Sequence, residues 1–371
     1  MPAPSQIGWS DLFAVADRNS PTMTLAMRVL KRRGEPLLIL PGRSRLAACA
    51  MDLYPAQTAP ARLARWLAWL TFKIGVPFAA KKTPLTVALE EAFPRFLRRQ
   101  ATGTSFPSFA ILAGNPHESG RRFVILVFGP DNRPVAVVKA GLGDDAIALI
   151  TKERSFLQSV ARNIPSIPKL RDYFESANLH ALALDFIAGD SPHGQKAEKI
   201  FLLLQSWIDE SRTVRLVELP TWQRLTRACA DEPLFLRLNS KLGARNLHPA
   251  IFHGDFAPWN IKVATTEGDW VVLDWERGEL NGVPAWDWFH FVLQPAILVE
   301  KLSVAALARQ VDSLLSLAAF RRYAERAGIL GVEHEWLLAY LLHCRRILKP
   351  SEEVRQTGEL LGLLRQKWLG D

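Results

Sequence analysis

Cysteine is scarce in this chain of 371 residues: there are three, Cys49, Cys229 and Cys344, far apart and in no CxxC pair. So sparse and odd a set excludes a disulfide framework or a cysteine-based zinc site as the organising feature, and it suits a reducing, cytoplasmic setting. Long apolar runs are missing as well. No stretch reaches the about 18 uninterrupted apolar residues of a membrane-spanning helix. Residues 1–20 carry Asp11, Asp17 and Arg18 without a long apolar run, which is not the pattern of a signal peptide. Internal repeats and low-complexity tracts are absent. So are GxxxxGK[ST], HExxH and GxSxG, and with them the chemistry each supports. Tyrosine is rare at 4 residues, whereas tryptophan is plentiful at 12. That excess calls for broad apolar packing surfaces or for contact with a membrane interface.

What is present is a globular composition, 49% hydrophobic and 22% charged, with a net charge of +9. The positive balance favours anionic partners such as nucleotides, nucleic acid or anionic lipid, without choosing among them. Three regions are legible. Residues 1–100 form a segment of mainly helical pattern, with one apolar run at 36–41. Within it, 62–75 (RLARWLAWLTFKIG) predicts a helix with Arg62, Arg65 and Lys73 near one face and Trp66, Leu67, Leu70 and Ile74 on the rest. Such a helix either docks on the protein body, the commoner outcome, or lies on an anionic membrane. Residues 101–188 predict three antiparallel strands (109–113, 122–128, 134–139), a helix (144–160) and two further strands (169–174, 182–186). Residues 189–371 read as mostly helical, with short strands near 251–252, 261–263 and 270–273.

The densest chemistry is His253-Gly254-Asp255-Phe256-Ala257-Pro258-Trp259-Asn260, followed by Asp274 at the end of an apolar strand. Phosphoryl transfer needs a carboxylate near the acceptor hydroxyl and oxygen ligands for magnesium on the phosphates. Asp255 supplies the first, and Asn260 and Asp274 supply the second. Upstream, Lys139 ends the predicted third strand, where a lysine can meet a phosphate. Glu153 lies one helix later, on the side of Ile150 and Leu157, where it can hold that lysine. The loop 114–120 stands where nucleotide phosphates would be covered. It is not GxGxxG, but Asn115, Ser119 and backbone N–H groups there could contact phosphate oxygens, unless it is a plain hairpin turn.

These motifs resemble those of the aminoglycoside phosphotransferase and choline kinase superfamily, relatives of the protein kinases. That family shows HGDxxxxN, and this chain reads HGDFAPWN. The family's second acidic motif corresponds to VVLDWERG here, and its Gly, Pro, Asp series to Gly282, Pro284 and Asp287 in NGVPAWDW. The resemblance covers roughly residues 106–295. It implies an α+β, bilobal protein kinase-like fold: an antiparallel-sheet lobe (101–188) that binds nucleotide, a larger helical lobe (189–371) for catalysis and acceptor binding, and an extra N-terminal segment (1–100). It also implies ATP and Mg2+ as cofactors, Asp255 as catalytic carboxylate, and Asn260 and Asp274 as metal ligands. His253 and Asp287 become structural supports of the loop, and backbone groups at Phe186 and Ile187 contact adenine. Trp275-Glu276 departs from the Phe-Gly of protein kinases, and Glu276 is a further candidate for a metal or cationic-substrate contact.

The expected activity is transfer of the γ-phosphate to a hydroxyl of a small molecule: a sugar, an amino alcohol or an aminoglycoside-like acceptor. The +9 charge weighs mildly against a polycationic acceptor. No nucleic-acid partner is expected. Two alternatives stay open, a membrane-associated kinase of a lipid- or glycan-linked acceptor and a nucleotide-binding scaffold without turnover. A protein kinase is disfavoured, since no APE-like element follows Asp274. The setting expected is cytoplasmic, with peripheral contact to the inner face of a membrane through 62–75 as the variant of it.

Overall fold

In β1 (Thr22–Arg32), Leu25, Met27 and Val29 point to one side while Arg28 and Leu30 point to the other. The chain then reverses through Arg33 and Gly34, whose φ angles of 53° and 89° are the left-handed pair of a tight two-residue hairpin turn. β2 (Glu35–Pro41) returns antiparallel to β1. In this computed structural model the described residues are 8–13, 21–56, 58–75, 80–103, 105–115, 120–160, 164–192, 197–264, 269–348 and 354–370.

Helices α1 (Ser44–Ala50) and α2 (Ala59–Lys73) follow, then β3 (Lys81–Ala88) and α3 (Ala92–Gln100). The remaining strands are β4 (Phe109–Ala113), β5 (Arg122–Phe128), β6 (Pro134–Leu142), β7 (Leu170–Glu175) and β8 (Leu179–Asp185), with α4 (Asp144–Ser159) between β6 and β7. Together they build one eight-stranded sheet in the order β3-β1-β2-β4-β5-β6-β8-β7, antiparallel at every pairing. Helix does outnumber strand over residues 1–100, but the expectation that they form an extension apart from the sheet does not hold. That segment donates three strands to the same sheet as the later ones. The signal lies in β1: Met23, Leu25, Met27 and Val29 alternate with Thr24, Ala26 and Arg28, the period of a half-buried strand, which a mainly helical reading of the segment passes over.

The centre of the sheet is buried on both faces, while β3 and β7 at its edges keep one side exposed. One face packs Met27, Val29, Ile39, Ile125 and Val138 against α3 and a short 3-10 turn at Trp9–Phe13. The opposite face packs Leu38, Leu40, Leu126 and Phe128 against Leu46 and Ala47 of α1 and Phe72 of α2. Each such side chain, fully buried, contributes about 1.5–3 kcal/mol of transfer free energy. These residues belong to a compact unit comprising 1–158 and 168–187.

The second unit comprises 159–167 and 188–371 and is mainly helical. Three short ribbons interrupt it: β9 (Gly189–Asp190) pairs with β13 (Ile261–Ala264), which pairs with β14 (Trp270–Val272); β10 (Val214–Arg215) pairs with β11 (Asn246–Leu247); and β12 (Ala250–Phe252) pairs with β15 (Glu279–Gly282). Its helices are α5 (Ala197–Gln205), α6 (Pro220–Ala228), α7 (Pro233–Leu242), α8 (Trp286–Leu298), α9 (Val304–Ser316), α10 (Ala318–Ala327), α11 (Glu333–His343) and α12 (Val354–Leu369). An antiparallel-sheet unit followed by a mainly helical one is the α+β arrangement expected. Among the described residues no helix is long and apolar enough to cross a membrane.

Helix α8 runs through the middle of the second unit and is buried on every side over Trp286–Leu293. Four of the chain's 12 tryptophans, Trp222, Trp286, Trp288 and Trp336, are fully buried here. Two polar tips fix the entry to α8. Trp336 Nε1 donates to the Pro284 carbonyl at 2.8 Å, and the Ala285 N–H donates to Tyr323 Oη at 3.1 Å. Ala285 itself sits at φ 67°, a left-handed conformation that these contacts hold in place.

His343, at the end of α11, is a buried polar group inside this aromatic cluster. Its ring lies 4.7 Å from that of Trp286, and neither ring nitrogen has a hydrogen-bond partner among the described residues. Burial, with the charge of Arg224 behind it, lowers its pKa to about 3. Below pH 6.5 the unfolded chain takes up a proton here that the folded protein refuses until about pH 3. The stability this group contributes is thus complete above pH 6.5 and lost as pH falls toward 3, by about 1.4 kcal/mol per pH unit. Replacing His343→Leu should raise stability at pH 5 more than at pH 7.5. Urea unfolding of both proteins at the two pH values checks this, because contributions from other titrating groups cancel in the difference. An equal gain at both would remove His343 from the acid limb.

Candidate functional site

In the first unit, strand alternation sets the site. Ala136, Val138 and Ala140 of β6 point into the core shared with α3, so Val137 and Lys139 point to the other face. Lys139 is flanked by Val124 of β5 and Leu182 of β8. On α4, Ile150, Glu153, Phe156 and Leu157 form the buried side. Lys139 Nζ donates to both carboxylate oxygens of Glu153, at 2.6 and 2.8 Å. The Glu153 side chain is wholly buried and that of Lys139 nearly so. Removing one partner of such a pair costs about 3–5 kcal/mol, because the other is left as an uncompensated buried charge. A lysine gripped this way presents a fixed ammonium, a point charge suited to a phosphate oxygen.

The other candidates of this unit are less sharply defined. Asn115 is exposed just beyond β4. Gly114 before it makes a close approach: a Cβ there would sit 2.4 Å from the Arg122 carbonyl oxygen. Ser119 lies outside the described residues. Phe186 packs its ring on the sheet face shared with α1 and α2, and its N–H donates to the Val135 carbonyl at 3.2 Å. That N–H is committed within the sheet, so adenine recognition at Phe186 would have to use its carbonyl. Ile187 is half-buried, at the last position of this unit.

The second unit carries the loop. Gly254 adopts φ +78°, and a Cβ on it would stand 2.9 Å from that of Arg277, so glycine is required on both counts. The turn brings the N–H groups of His253 and Gly254 onto the carboxylate of Asp287, at 2.7 and 3.0 Å. Asp287 is the second residue of α8, where the helix N-terminus favours an anion. Burial pushes its carboxyl up to about 7, against the pull of those two donors. His253 is held as one tautomer. Its Nδ1 accepts the Asp255 N–H at 3.1 Å, which leaves the proton on Nε2, donated to the Leu273 carbonyl at 2.8 Å. Burial lowers the His253 pKa to about 4, so the ring is neutral in its two hydrogen bonds.

Asp255, half-buried, is gripped from two sides. Asn260 Nδ2 donates to its Oδ2 at 3.0 Å and to its backbone carbonyl at 2.8 Å. His290 Nε2 donates to its Oδ1 at 3.0 Å. Burial alone would raise the Asp255 pKa. The His290 hydrogen bond, with the charges around it, outweighs burial and holds the carboxyl below its ordinary value. The group is an anion at neutral pH with lone pairs to spare, as a carboxylate that orients or deprotonates a hydroxyl must be.

His290 is the residue that sequence reasoning missed, and Tyr340 stands behind it, with Oη 3.0 Å from His290 Nδ1. His290 thus bridges the two, donating from Nε2 to the Asp255 carboxylate with its Nδ1 in hydrogen-bond distance of the Tyr340 hydroxyl. One signal was available. Asp287 and His290 are three apart on a helix and so share a face, and a histidine inside WDWFHF breaks an otherwise apolar run.

Asp274 follows β14 with φ 72°, a left-handed conformation that aspartate tolerates better than most residues. The Leu273 N–H before it donates to the Asn260 carbonyl at 2.7 Å, tying the two candidate metal ligands to one stretch of backbone. The amide nitrogen of Asn260 is committed to Asp255, which leaves its side-chain oxygen as the atom able to meet a cation. Among the described residues no group of three or more His, Cys, Asp or Glu is placed to cage a metal ion. Two oxygen donors suit magnesium, which commonly takes one or two protein ligands and fills its shell with phosphate oxygens and water. Trp275 is fully buried, its Nε1 donating to the Val272 carbonyl at 2.7 Å and its ring 4.5 Å from that of His253. It packs the loop from beneath.

No protein-family model matches this chain, and no curated protein does. Similar solved structures include a thermostable mutant of aminoglycoside phosphotransferase APH(4)-Ia in a ternary complex with ADP and hygromycin B. It has 13% identity, covers 76% of this chain and 100% of that one, and gives a TM-score of 0.47. Aminoglycoside phosphotransferase APH(3'')-Id from Streptomyces rimosus has 18% identity over 63% of this chain and 90% of that one, at a TM-score of 0.39. A Haemophilus somnus protein assigned as a fructosamine-3-kinase has 15% identity over 73% and 96%, at 0.42.

Proposed function

We propose that this chain is a phosphotransferase that moves the γ-phosphoryl group of ATP, held with magnesium, to a hydroxyl of a small molecule. The observation that carries this reading is the double grip on Asp255. Asn260 and His290 fix both carboxylate oxygens of a group that stays partly exposed and ionised. In the reaction, the acceptor oxygen forms a new bond to the γ-phosphorus while the bond to the bridging oxygen of the β-phosphate breaks. ADP leaves, and the acceptor proton passes to Asp255. Lys139, fixed by Glu153, meets a nucleotide phosphate. Asn260 and Asp274 hold the magnesium, which neutralises charge on the phosphates. Asp287 and His253 keep the loop in shape. The acceptor class proposed is a sugar, an amino alcohol or an aminoglycoside-like compound. The setting proposed is the cytoplasm, in keeping with three free cysteines, Cys49 among them exposed.

The metal assignment has its own test. Asp274→Ala should weaken ATP binding in the presence of magnesium by at least about tenfold and leave the weak metal-free binding unchanged. Titration calorimetry with and without magnesium measures both. An unaltered magnesium dependence would remove Asp274 from the metal site.

A further inference from the structure

We propose that helix α2 is a docking face for an anionic lipid bilayer, a role that does not depend on the phosphotransferase reading. The helix has two apolar sides. At about 100° per residue, Ala68, Trp69 and Phe72 point one way, and these are the residues that pack on the sheet. Leu63, Trp66, Leu67 and Ile74 fall within an arc of roughly 100° on the opposite side. They are 57%, 52%, 48% and 63% exposed, although each is large and apolar. Single exposed apolar residues are ordinary, but a continuous stripe along a helix is a surface made to be covered.

The charges around the stripe identify what covers it. No Asp or Glu occurs between Asp52 and Glu90, while Arg62, Arg65, Lys73, Lys81 and Lys82 do. Arg65 is turned inward, donating to the Tyr54 carbonyl at 3.3 Å. Arg62 and Lys73 lie on the flank of the helix next to Trp66, and both are exposed. Lys73 Nζ stands 4.5 Å from the Trp69 ring centroid. Lys81 and Lys82, exposed, open the edge strand β3. A second copy docked on this face would set these cations against their own equivalents, since a twofold interface repeats the same patch. An anionic bilayer takes the stripe into its acyl boundary and the cations against its headgroups. With 15 residues, α2 is about 22 Å long, short of the roughly 30 Å hydrocarbon core. It therefore lies along the interface and does not span it.

The test is flotation of the full chain with two kinds of vesicle, pure phosphatidylcholine and phosphatidylcholine mixed with phosphatidylglycerol. At least about tenfold more protein should float with the anionic vesicles, and raised salt should reduce that fraction. The triple variant Leu63→Ser, Trp66→Ser, Leu67→Ser and the double variant Arg62→Glu, Lys73→Glu should each lose at least about tenfold of the binding. Both should keep the wild-type circular dichroism and melting midpoint, because the replaced side chains are exposed. Absence of the wild type from the floated fraction would overturn the proposal, as would undiminished flotation of either variant. Light scattering that showed a dimer dissolved by the triple substitution, with no vesicle binding, would assign the face to a second copy instead.

Discussion

Replacing Asp255→Asn should lower phosphoryl transfer by about a hundredfold to ten-thousandfold, the span measured for loss of a positioned general base, and leave magnesium–ATP affinity within about threefold of wild type. The substitution keeps a carbonyl oxygen where His290 donates, so the loop has a partner on that side. It sets an amide against the Asn260 amide on the other, and it removes an anion held below its ordinary pKa. A stability loss of about 1–2 kcal/mol follows from one poor hydrogen bond. The signature is therefore a collapse of turnover in a protein that folds and binds nucleotide. Steady-state ADP release and ATP titration on the same preparation read the two halves. Wild-type turnover in this variant would dismiss Asp255 as the group that meets the acceptor.

Asp287→Ala should behave differently, losing stability and turnover together. Among the described residues, Asp287 accepts the hydrogen bonds of the buried His253 and Gly254 N–H groups. Its removal strands two buried donors at about 1–3 kcal/mol each, so the protein should lose roughly 2–6 kcal/mol. The backbone turn that aims Asp255 loses its anchor at the same time. Asp287→Asn keeps one acceptor oxygen and should recover part of both losses. Thermal melting and ADP release on the two variants make the comparison. If Asp287→Ala melted like the wild type while turning over slowly, Asp287 would be acting on the reactants and not on the loop.

The parts of this molecule that were legible in the sequence share a property: their signal is local. β5 and β6 are runs of Val, Ile, Leu and Phe between turn residues, and Lys139 and Glu153 are placed by the period of the elements that carry them. Asp255, Asn260 and Asp274 sit within one hairpin of each other. The parts that were not legible depend on partners distant in the chain. β3 is a strand because it pairs with β1, Thr22 to Val29 against Ala88 to Lys81, and with Pro84 inside it has no strong pattern alone. His290 stands 35 residues from Asp255, and only the fold of α8 against the loop makes it a partner and not a core histidine. Helix α2 shows the same limit in reverse. Its sequence fits docking on the body, the commoner outcome, and contact with a membrane as well, and the two sides of the helix differ: one packs on the sheet and the other is exposed.

Transfer of a phosphoryl group to a hydroxyl is the chemistry proposed for the loop from His253 to Asn260. Its most direct measurement is ADP formation from magnesium–ATP, with sugars, amino alcohols, aminoglycosides and lipid-linked alcohols offered in turn, for the wild type beside Asp255→Asn. At least one acceptor class should stimulate the wild type saturably, and the variant should lose this stimulated rate. A wild-type protein saturated with magnesium–ATP that no acceptor stimulates, or a variant with the same stimulated rate, would contradict it.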